Sequence, residues 1–365
     1  MISQRRPDSV FLGLVLVLCV FGIIILSSAS SVASFQSLGD PNGFLKKQII
    51  SLVIGLLFMV LIMHFNISWL RKLALPLLIG SCVLMLAPFI PGLGSELLGA
   101  RRWIAFSGFF FQPSELVKLT LVIFLAAWFS KQPVHAAEPK RILYPLLGLL
   151  GVITLVLIRQ PDLGTAIVIL ALAVVMYFAA GAPAKHFVWI ATLFLAGLFL
   201  LIQVAPYRAV RLTVFLNPDK DAQGAAYHIN QSLLAIGSGG LFGRGLGHSM
   251  QKFNYLPEAE GDSIFAIAAE ELGFFLSVGL IALYVGLWWR GIQLARRAGD
   301  AYVRLVIIGV VSWLTIQAFI NIGALTSLLP LTGEPLPFIS NGGSSLIISL
   351  VAVGILLNYS RTLRQ

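Results

Sequence analysis

The sequence predicts an all-α, polytopic integral membrane protein with ten transmembrane helices, both termini cytoplasmic, and one long outer loop between helices 7 and 8. Composition is the first ground. Of 365 residues, 58% are hydrophobic and only 11% charged, with a mean hydropathy of +0.93. A soluble domain carries about 25% charged residues, so this chain lacks the charge to cover the outside of a soluble core. Length is the second: ten spans of roughly 20 apolar residues would take up ~200 residues, or ~55% of the chain. Segmentation is the third, because the apolar residues fall into ten runs. In hydrocarbon each backbone polar group must find a partner within its own segment, which makes these runs helices; a barrel would alternate over strands of about ten residues. A soluble enzyme, a disordered chain and a disulfide scaffold are excluded. A channel, a transporter and a membrane enzyme remain.

The first run, 10–30, continues to about Ser30 without a small-residue cleavage site, so it is expected to stay as the first span. Runs 49–65 and 73–92 follow. The fourth, 114–130, starts at Gln112-Pro113-Ser114, with proline where a helix tolerates it, at the N-terminus. Runs 143–158 and 163–181 are divided by Arg159-Gln-Pro-Asp162, and 187–205 leads into the long loop 206–262. Runs 263–289, 303–329 and 344–359 complete the set. Residues 1–365 form a single membrane domain.

Orientation follows from Lys and Arg, which collect at cytoplasmic span ends. With the N-terminus inside, inner segments hold fourteen of the 25, among them Arg71, Lys140, Arg290, Arg296 and Arg361. Short outer segments hold five: Lys46, Lys47, Arg101, Arg102 and Arg159. The long loop adds five that count little towards orientation, and Lys118 lies within a span. The net charge of +10 is thus a topological signature and implies no nucleic-acid partner. Cys19 and Cys82 lie inside apolar runs and are expected to be small core residues, with no disulfide or metal site.

Most outer-side polar residues gather in constellations. Glu258, Glu260 and Asp262 precede the eighth span, with Asp262 at the membrane boundary. Asp262 suits both an N-cap and a catalytic carboxylate. Glu115 and Lys118 are three apart on one helical face and can pair, either as a structural couple or as part of a substrate cavity. Glu270 and Glu271 raise the same question: one of them should face the interior, with Lys118 a candidate partner. Arg101, Arg102 and Arg159 can receive a phosphate-bearing head group or serve as interfacial anchors. The glycines of 237–247 can form an anion-binding nest or ordinary tight turns, and their spacing fits no nucleotide loop. Gly342, Gly343, Ser344 and Ser345 permit close backbone approach at the outer end of the last span.

Together these stretches resemble the SEDS family of peptidoglycan glycosyltransferases (FtsW, RodA, SpoVE). Ala100-Arg-Arg-Trp-Ile, Gln112-Pro-Ser-Glu-Leu-Val-Lys118, Gln160-Pro-Asp-Leu-Gly-Thr165 and Asn217-Pro-Asp-Lys-Asp-Ala-Gln-Gly-Ala-Ala-Tyr-His228 carry the likeness. Gln231-Ser-Leu-Leu-Ala-Ile-Gly-Ser-Gly-Gly240, Tyr255-Leu-Pro-Glu-Ala259, Phe265-Ala-Ile-Ala-Ala-Glu-Glu-Leu-Gly273 and Pro337-Phe-Ile-Ser-Asn-Gly-Gly-Ser-Ser345 continue it in order. Gly245-Leu-Gly-His-Ser-Met-Gln-Lys252 leans towards the FtsW branch.

The resemblance implies polymerisation of lipid II into nascent glycan strands at the outer face of the bacterial cytoplasmic (inner) membrane, in division or elongation. It implies a class B penicillin-binding protein transpeptidase as partner, within the divisome or elongasome. Asp262 falls on the family's essential acidic position and is expected to be the general base. The family usually has Thr-Asp-Phe there and this chain has Gly261-Asp-Ser263; Asn341 stands where many members have Tyr. Arg101, Arg102, Glu115, Lys118, Gln231 and Ser344 are the expected substrate-binding residues. No protein metal site is expected, and the diphosphate would be neutralised by Arg, Lys or a divalent cation, Mg or Mn. A lipid II flippase and a non-catalytic scaffold for a transpeptidase are the alternatives.

Overall fold

The computed structural model describes residues 6–97, 100–106, 109–132, 134, 139–204, 224 and 226–363. Residues 217–223 and 225 of the Asn217 motif, the aromatics Tyr207 and Phe215, His135, Arg5 and Arg364 lie outside the described residues.

The chain is mostly helical. Helix α1 (Ser9–Ala29) is capped by Asp8, whose carboxylate accepts the amide of Phe11 at 2.8 Å. It is followed by α2 (Ser31–Leu38), α3 (Gly43–His64), the one-turn α4 (Trp69–Lys72) and α5 (Ala74–Leu84), which a 3₁₀ turn extends over Ala87–Phe89. Next come α6 (Pro113–Phe129), α7 (Leu143–Arg159), α8 (Leu163–Ala179) and α9 (Ala184–Val204). The last helices are α10 (Tyr227–Ser238), α11 (Ile264–Arg297), α12 (Ala301–Leu325) and α13 (Gly343–Ser360). Among the described residues, α1, α3, α11, α12 and α13 are long and apolar enough to cross a membrane, and α5, α7 and α8 are shorter apolar helices.

One element corrects the all-α expectation. The segment between α5 and α6 forms a small antiparallel sheet of β1 (Gly94–Leu97), β2 (Ala100–Phe106) and β3 (Phe109–Phe111), in that order. Residue Trp103 pairs with Ser95, and Ile104 with both Gly94 and Phe111. Strands of three to seven residues sit between two long apolar runs, too short to impose a visible alternation on the sequence.

The interior is built on α12. Its Trp313, Val310, Val311 and Leu314 are fully buried, and α6, α8 and α11 pack around it. Helices α3 and α13 lie closely together, and apolar side chains such as Val53, Leu57 and Phe58 stay exposed on α3. The two ends of the bundle differ in chemistry. At one end, two arginine pairs tie elements together, Arg290 to Asp8 and Arg71 to Asp300, and Asn358 Nδ2 donates to the carbonyls of Ile62 and Phe65. At the other end lie the sheet, the α7–α8 turn, the segment 227–262 and the loop 330–342.

Helix α11 is broken at Gly273, where φ is +78° and ψ −174°, a region essentially reserved for glycine. The glycine-rich strap 239–247 docks into the break. The amides of Arg244 and Gly245 donate to the carbonyls of Glu270 and Glu271 at 3.0 and 2.9 Å, and Phe274 N donates to Gly240 O at 2.9 Å. The backbones meet where only glycine leaves room, Gly273 lying against Gly243. These amides therefore satisfy the carbonyls freed by the kink.

Candidate functional site

At the loop-rich end, buried polar side chains converge from six segments in a bundle that is otherwise apolar. The α6 N-terminus supplies Glu115 and Lys118, both essentially without solvent exposure. Lys118 Nζ donates to Glu115 Oε1 at 2.7 Å and to Gln317 Oε1 of α12 at 2.8 Å, and Glu334 Oε2 lies 3.8 Å away. Trp313 Nε1 donates to the same Gln317 oxygen at 2.9 Å, and Lys118 sits 5.4 Å from the centre of the Trp313 ring. The local i,i+3 pair read from the sequence is present. The expected partnership of Lys118 with Glu270 or Glu271 is not.

Both of those glutamates are buried and hold a different segment. Glu270 accepts Ser249 Oγ at 2.5 Å and the amide of Met250 at 3.0 Å, with Arg244 Nη1 at 3.3 Å. Glu271 accepts Ser28 Oγ at 2.6 Å and Lys252 Nζ at 3.2 Å. The pair thus fastens the turn 249–252 to α11 and α1.

Asp162, 2% exposed, caps α8 by accepting the amide of Thr165 at 3.3 Å. Its other oxygen accepts Gln112 Nε2 at 3.1 Å, and Arg102 Nη1 from β2 approaches at 3.5 Å. The Arg102 Nε–H is buried with no hydrogen-bond partner among the described residues. Arg101 points elsewhere: it pairs with Glu96 at 2.9 Å on the exposed sheet face. Ser344 Oγ accepts the Gln112 amide at 3.3 Å, which joins α13 to the start of α6. Gln231 is half-buried on α10.

Asp262 is half-buried at the foot of α11. It does not occupy the N-cap; that position is Ser263, and no side chain caps this helix. Ser263 Oγ donates to Pro257 O at 2.7 Å and meets His228 Nε2 at 2.6 Å. The backbone of Asp262 is held from α12, where Asn321 Nδ2 donates to the Asp262 carbonyl at 2.6 Å and to the Glu334 carbonyl at 2.7 Å. Gly333 borders the carboxylate, a Cβ there falling 3.5 Å from Asp262 Oδ2. The loop 330–342 is itself anchored by buried Leu336, Phe338 and Ile339, and Asn341 N donates to Glu260 O at 2.9 Å.

Electrostatics tie these groups into one site. Surrounding protein and then the charge of Asp262 push the Glu258 carboxyl up, while Arg102 pulls it down. Burial, first, and the neighbouring Glu258 push Glu260 up, against its own backbone hydrogen bond. Sequence reasoning missed Gln317, Asn321 and Glu334. The first two sit four apart on one face of an otherwise apolar span, a polar stripe that could have marked them.

Comparison with known proteins places this geometry. The family model of FtsW, RodA and SpoVE, described as "Cell cycle protein", matches residues 8–365. "Stage V sporulation protein E" of Bacillus subtilis (strain 168) is 42% identical over 359 residues, 98% of each chain. "Probable peptidoglycan glycosyltransferase FtsW" of Geobacter sp. (strain M18) is 40% identical over 357 residues, 98% of this chain and 97% of that one. Among solved structures, the Thermus thermophilus rod shape determining protein RodA superposes with a TM-score of 0.70 at 31% identity, covering 98% of both chains. A chain from a structure described as "Structural coordination of polymerization and crosslinking by a peptidoglycan synthase complex" gives 0.79 at 29% identity, covering 98% of this chain and 99% of that one. The chain is therefore a multi-pass membrane protein belonging to the FtsW/RodA/SpoVE family.

Proposed function

We propose that this protein is a peptidoglycan glycosyltransferase that polymerises lipid II at the outer face of the bacterial cytoplasmic membrane. The observation that carries the proposal is the gathering of Asp262, Arg102 and the buried Lys118 cluster at one end of the bundle, in a chain of this family. The whole chain acts as one membrane unit of ten spans with both termini cytoplasmic. The basic connections at the opposite end support that orientation.

In the reaction, Asp262 takes the proton from the GlcNAc 4-hydroxyl of lipid II. The oxygen forms a bond to the anomeric carbon of the growing strand as the bond from that carbon to the diphosphate oxygen breaks. Configuration inverts, and undecaprenyl diphosphate leaves with the electron pair. Arg102 binds the diphosphate, a role supported by its Nε–H having no hydrogen-bond partner among the described residues. Lys118 and Glu115 set the buried charge beneath the substrate, and the bond from the Gln112 amide to Ser344 ties the start of α6 to α13 beside it. Arg101 on the exposed sheet and Gln231 on α10 contact substrate further out. Among the described residues no group of three or more His, Cys, Asp or Glu side chains converges on a metal position. A divalent cation, Mg or Mn, bound with the diphosphate would add to the charge neutralisation that Arg102 supplies.

The partner is a class B penicillin-binding protein that cross-links the new strand, in the division or elongation machinery. The likeness to a chain of a synthase complex supports this. A flippase would need polar groups at both faces and the midplane, whereas the buried polar cluster described here is gathered at one end. The test is reconstitution of the purified protein in liposomes with lipid II and the transpeptidase. Glycan strands resolved on a gel support the proposal. Lipid II crossing the bilayer without polymer, or polymer only from other enzymes, overturns it.

A further inference from the structure

The site contains a carboxylate that the reaction above does not use. Glu334, 2% exposed, sits on the loop 330–342 and faces three elements. From α6 come Lys118 Nζ at 3.8 Å and, behind it, Glu115. From the α7–α8 turn comes Asp162, itself paired with Arg102 of β2. From α8 comes Thr165, whose hydroxyl donates to Glu334 Oε1 at 2.8 Å. Gly164 of α8 packs so tightly below that a Cβ would reach the Glu334 side chain at 2.8 Å. Oxygen Oε2 is buried and accepts no hydrogen bond among the described residues.

Charge counting isolates Glu334. Lys118 is committed to Glu115 at 2.7 Å and Arg102 to Asp162 at 3.5 Å. Three buried carboxylates thus share two cations, and Glu334 is the one without a cation of its own. A buried carboxylate whose one cation is shared and 3.8 Å away, and whose second oxygen accepts no hydrogen bond among the described residues, is costly, and a proton removes that cost. Its main chain also bears on the reaction centre, because Asn321 Nδ2 clamps the carbonyls of Glu334 and Asp262 together.

We infer that Glu334 is a positioning residue whose protonated form holds the loop 330–342, and through Asn321 the backbone of Asp262, in the geometry observed. Loss of the proton sets a third carboxylate competing for Lys118 and repelling Asp162 and Glu115, and the loop shifts. Burial, first, followed by the opposing pull of Lys118 and the push of Asp162 and Glu115, leaves this carboxyl near the top of the acidic range, at about 7. The inference rests on the glycosyl-transfer reading, in which Asp262 is the base.

The experiment measures lipid II consumption by the reconstituted full-length protein between pH 6 and 8.5, separating kcat from KM. In the wild type, kcat falls about tenfold for each pH unit above the Glu334 ionisation, with little change in KM. In Glu334→Gln, which mimics the protonated form, that alkaline limb is absent. Thr165→Val removes the hydroxyl that favours the ionised form, moving the limb to higher pH and raising the rate at pH 8 about threefold. The Thr165 variant decides the matter if Glu334→Gln does not fold. An alkaline limb that persists in Glu334→Gln, or one that Thr165→Val leaves in place, overturns the inference. Failure of the underlying reading looks different: Asp262→Asn would then polymerise at every pH.

Discussion

Replacing Lys118 by methionine keeps the volume of the side chain and removes its charge from the buried polar cluster. The structure defines what is lost. The ammonium is 0% exposed, bonds Glu115 at 2.7 Å and Gln317 at 2.8 Å, and offsets Glu334 at 3.8 Å. Its removal strands Glu115 in an interior without a counter-ion and leaves the Gln317 oxygen with Trp313 alone. Breaking a buried pair from one side costs about 3–5 kcal/mol. Lys118→Met is therefore expected to lose about that much stability in unfolding titrations with mixed micelles. The double variant Glu115→Gln with Lys118→Met should recover about half, since the stranded charge is gone while the hydrogen bonds remain broken. A Lys118→Met loss below about 1 kcal/mol, or strict additivity of the two changes, would refute the reasoning that the pair neutralises itself.

Further outcomes follow from the same geometry. Arg102→Ala should reduce kcat/KM by about 10- to 100-fold through the lost charge-assisted contact, whereas the exposed Arg101–Glu96 pair predicts less than about a threefold change for Arg101→Ala; lipid II titrations compare the two. Gly273→Ala forces a side chain into a left-handed conformation against Gly243, and should cost about 1–3 kcal/mol in the same unfolding assay. Stability should also fall as pH rises. Glu258, Glu260 and Glu334 all have carboxyls raised above 4.5 in the fold, so the folded state binds more protons than the unfolded chain from about that value upward, to about 7 for Glu334. Unfolding titrations at pH 5 and 8 should differ accordingly, and Glu334→Gln should shrink the difference.

The parts of the fold that were legible in the sequence are those decided by local chemistry. A backbone in hydrocarbon has one solution, so long apolar runs such as 10–30 and 303–329 read directly as helices, and α1 and α12 occupy them. The Glu115–Lys118 pair was legible because both partners lie one turn apart on one helix. Asp262 stood out as a carboxylate at a helix foot, although the cap it could have formed belongs to Ser263. What was not legible depends on chain segments far apart. Glu271 takes Ser28 and Lys252 as partners, and no spacing rule joins those three. Glu334 precedes Pro335 in what reads as an ordinary turn; its importance comes from Thr165 and Lys118, brought to it only by the packing of α6 and α8 against α12. The glycines of 239–247 looked available for an anion because their true partner, the broken helix at Gly273, lies some thirty residues on and carries no proline to announce the kink.

The proposed glycosyl transfer turns on Asp262 as the base. Its most direct test is polymerisation of lipid II by Asp262→Asn in proteoliposomes with the transpeptidase, alongside binding of that partner. Asparagine keeps the shape and the backbone clamp from Asn321 but cannot take the proton, so glycan synthesis should fall by at least about 10²-fold while partner binding and folding persist. Undiminished glycan strands from a folded Asp262→Asn protein would contradict it.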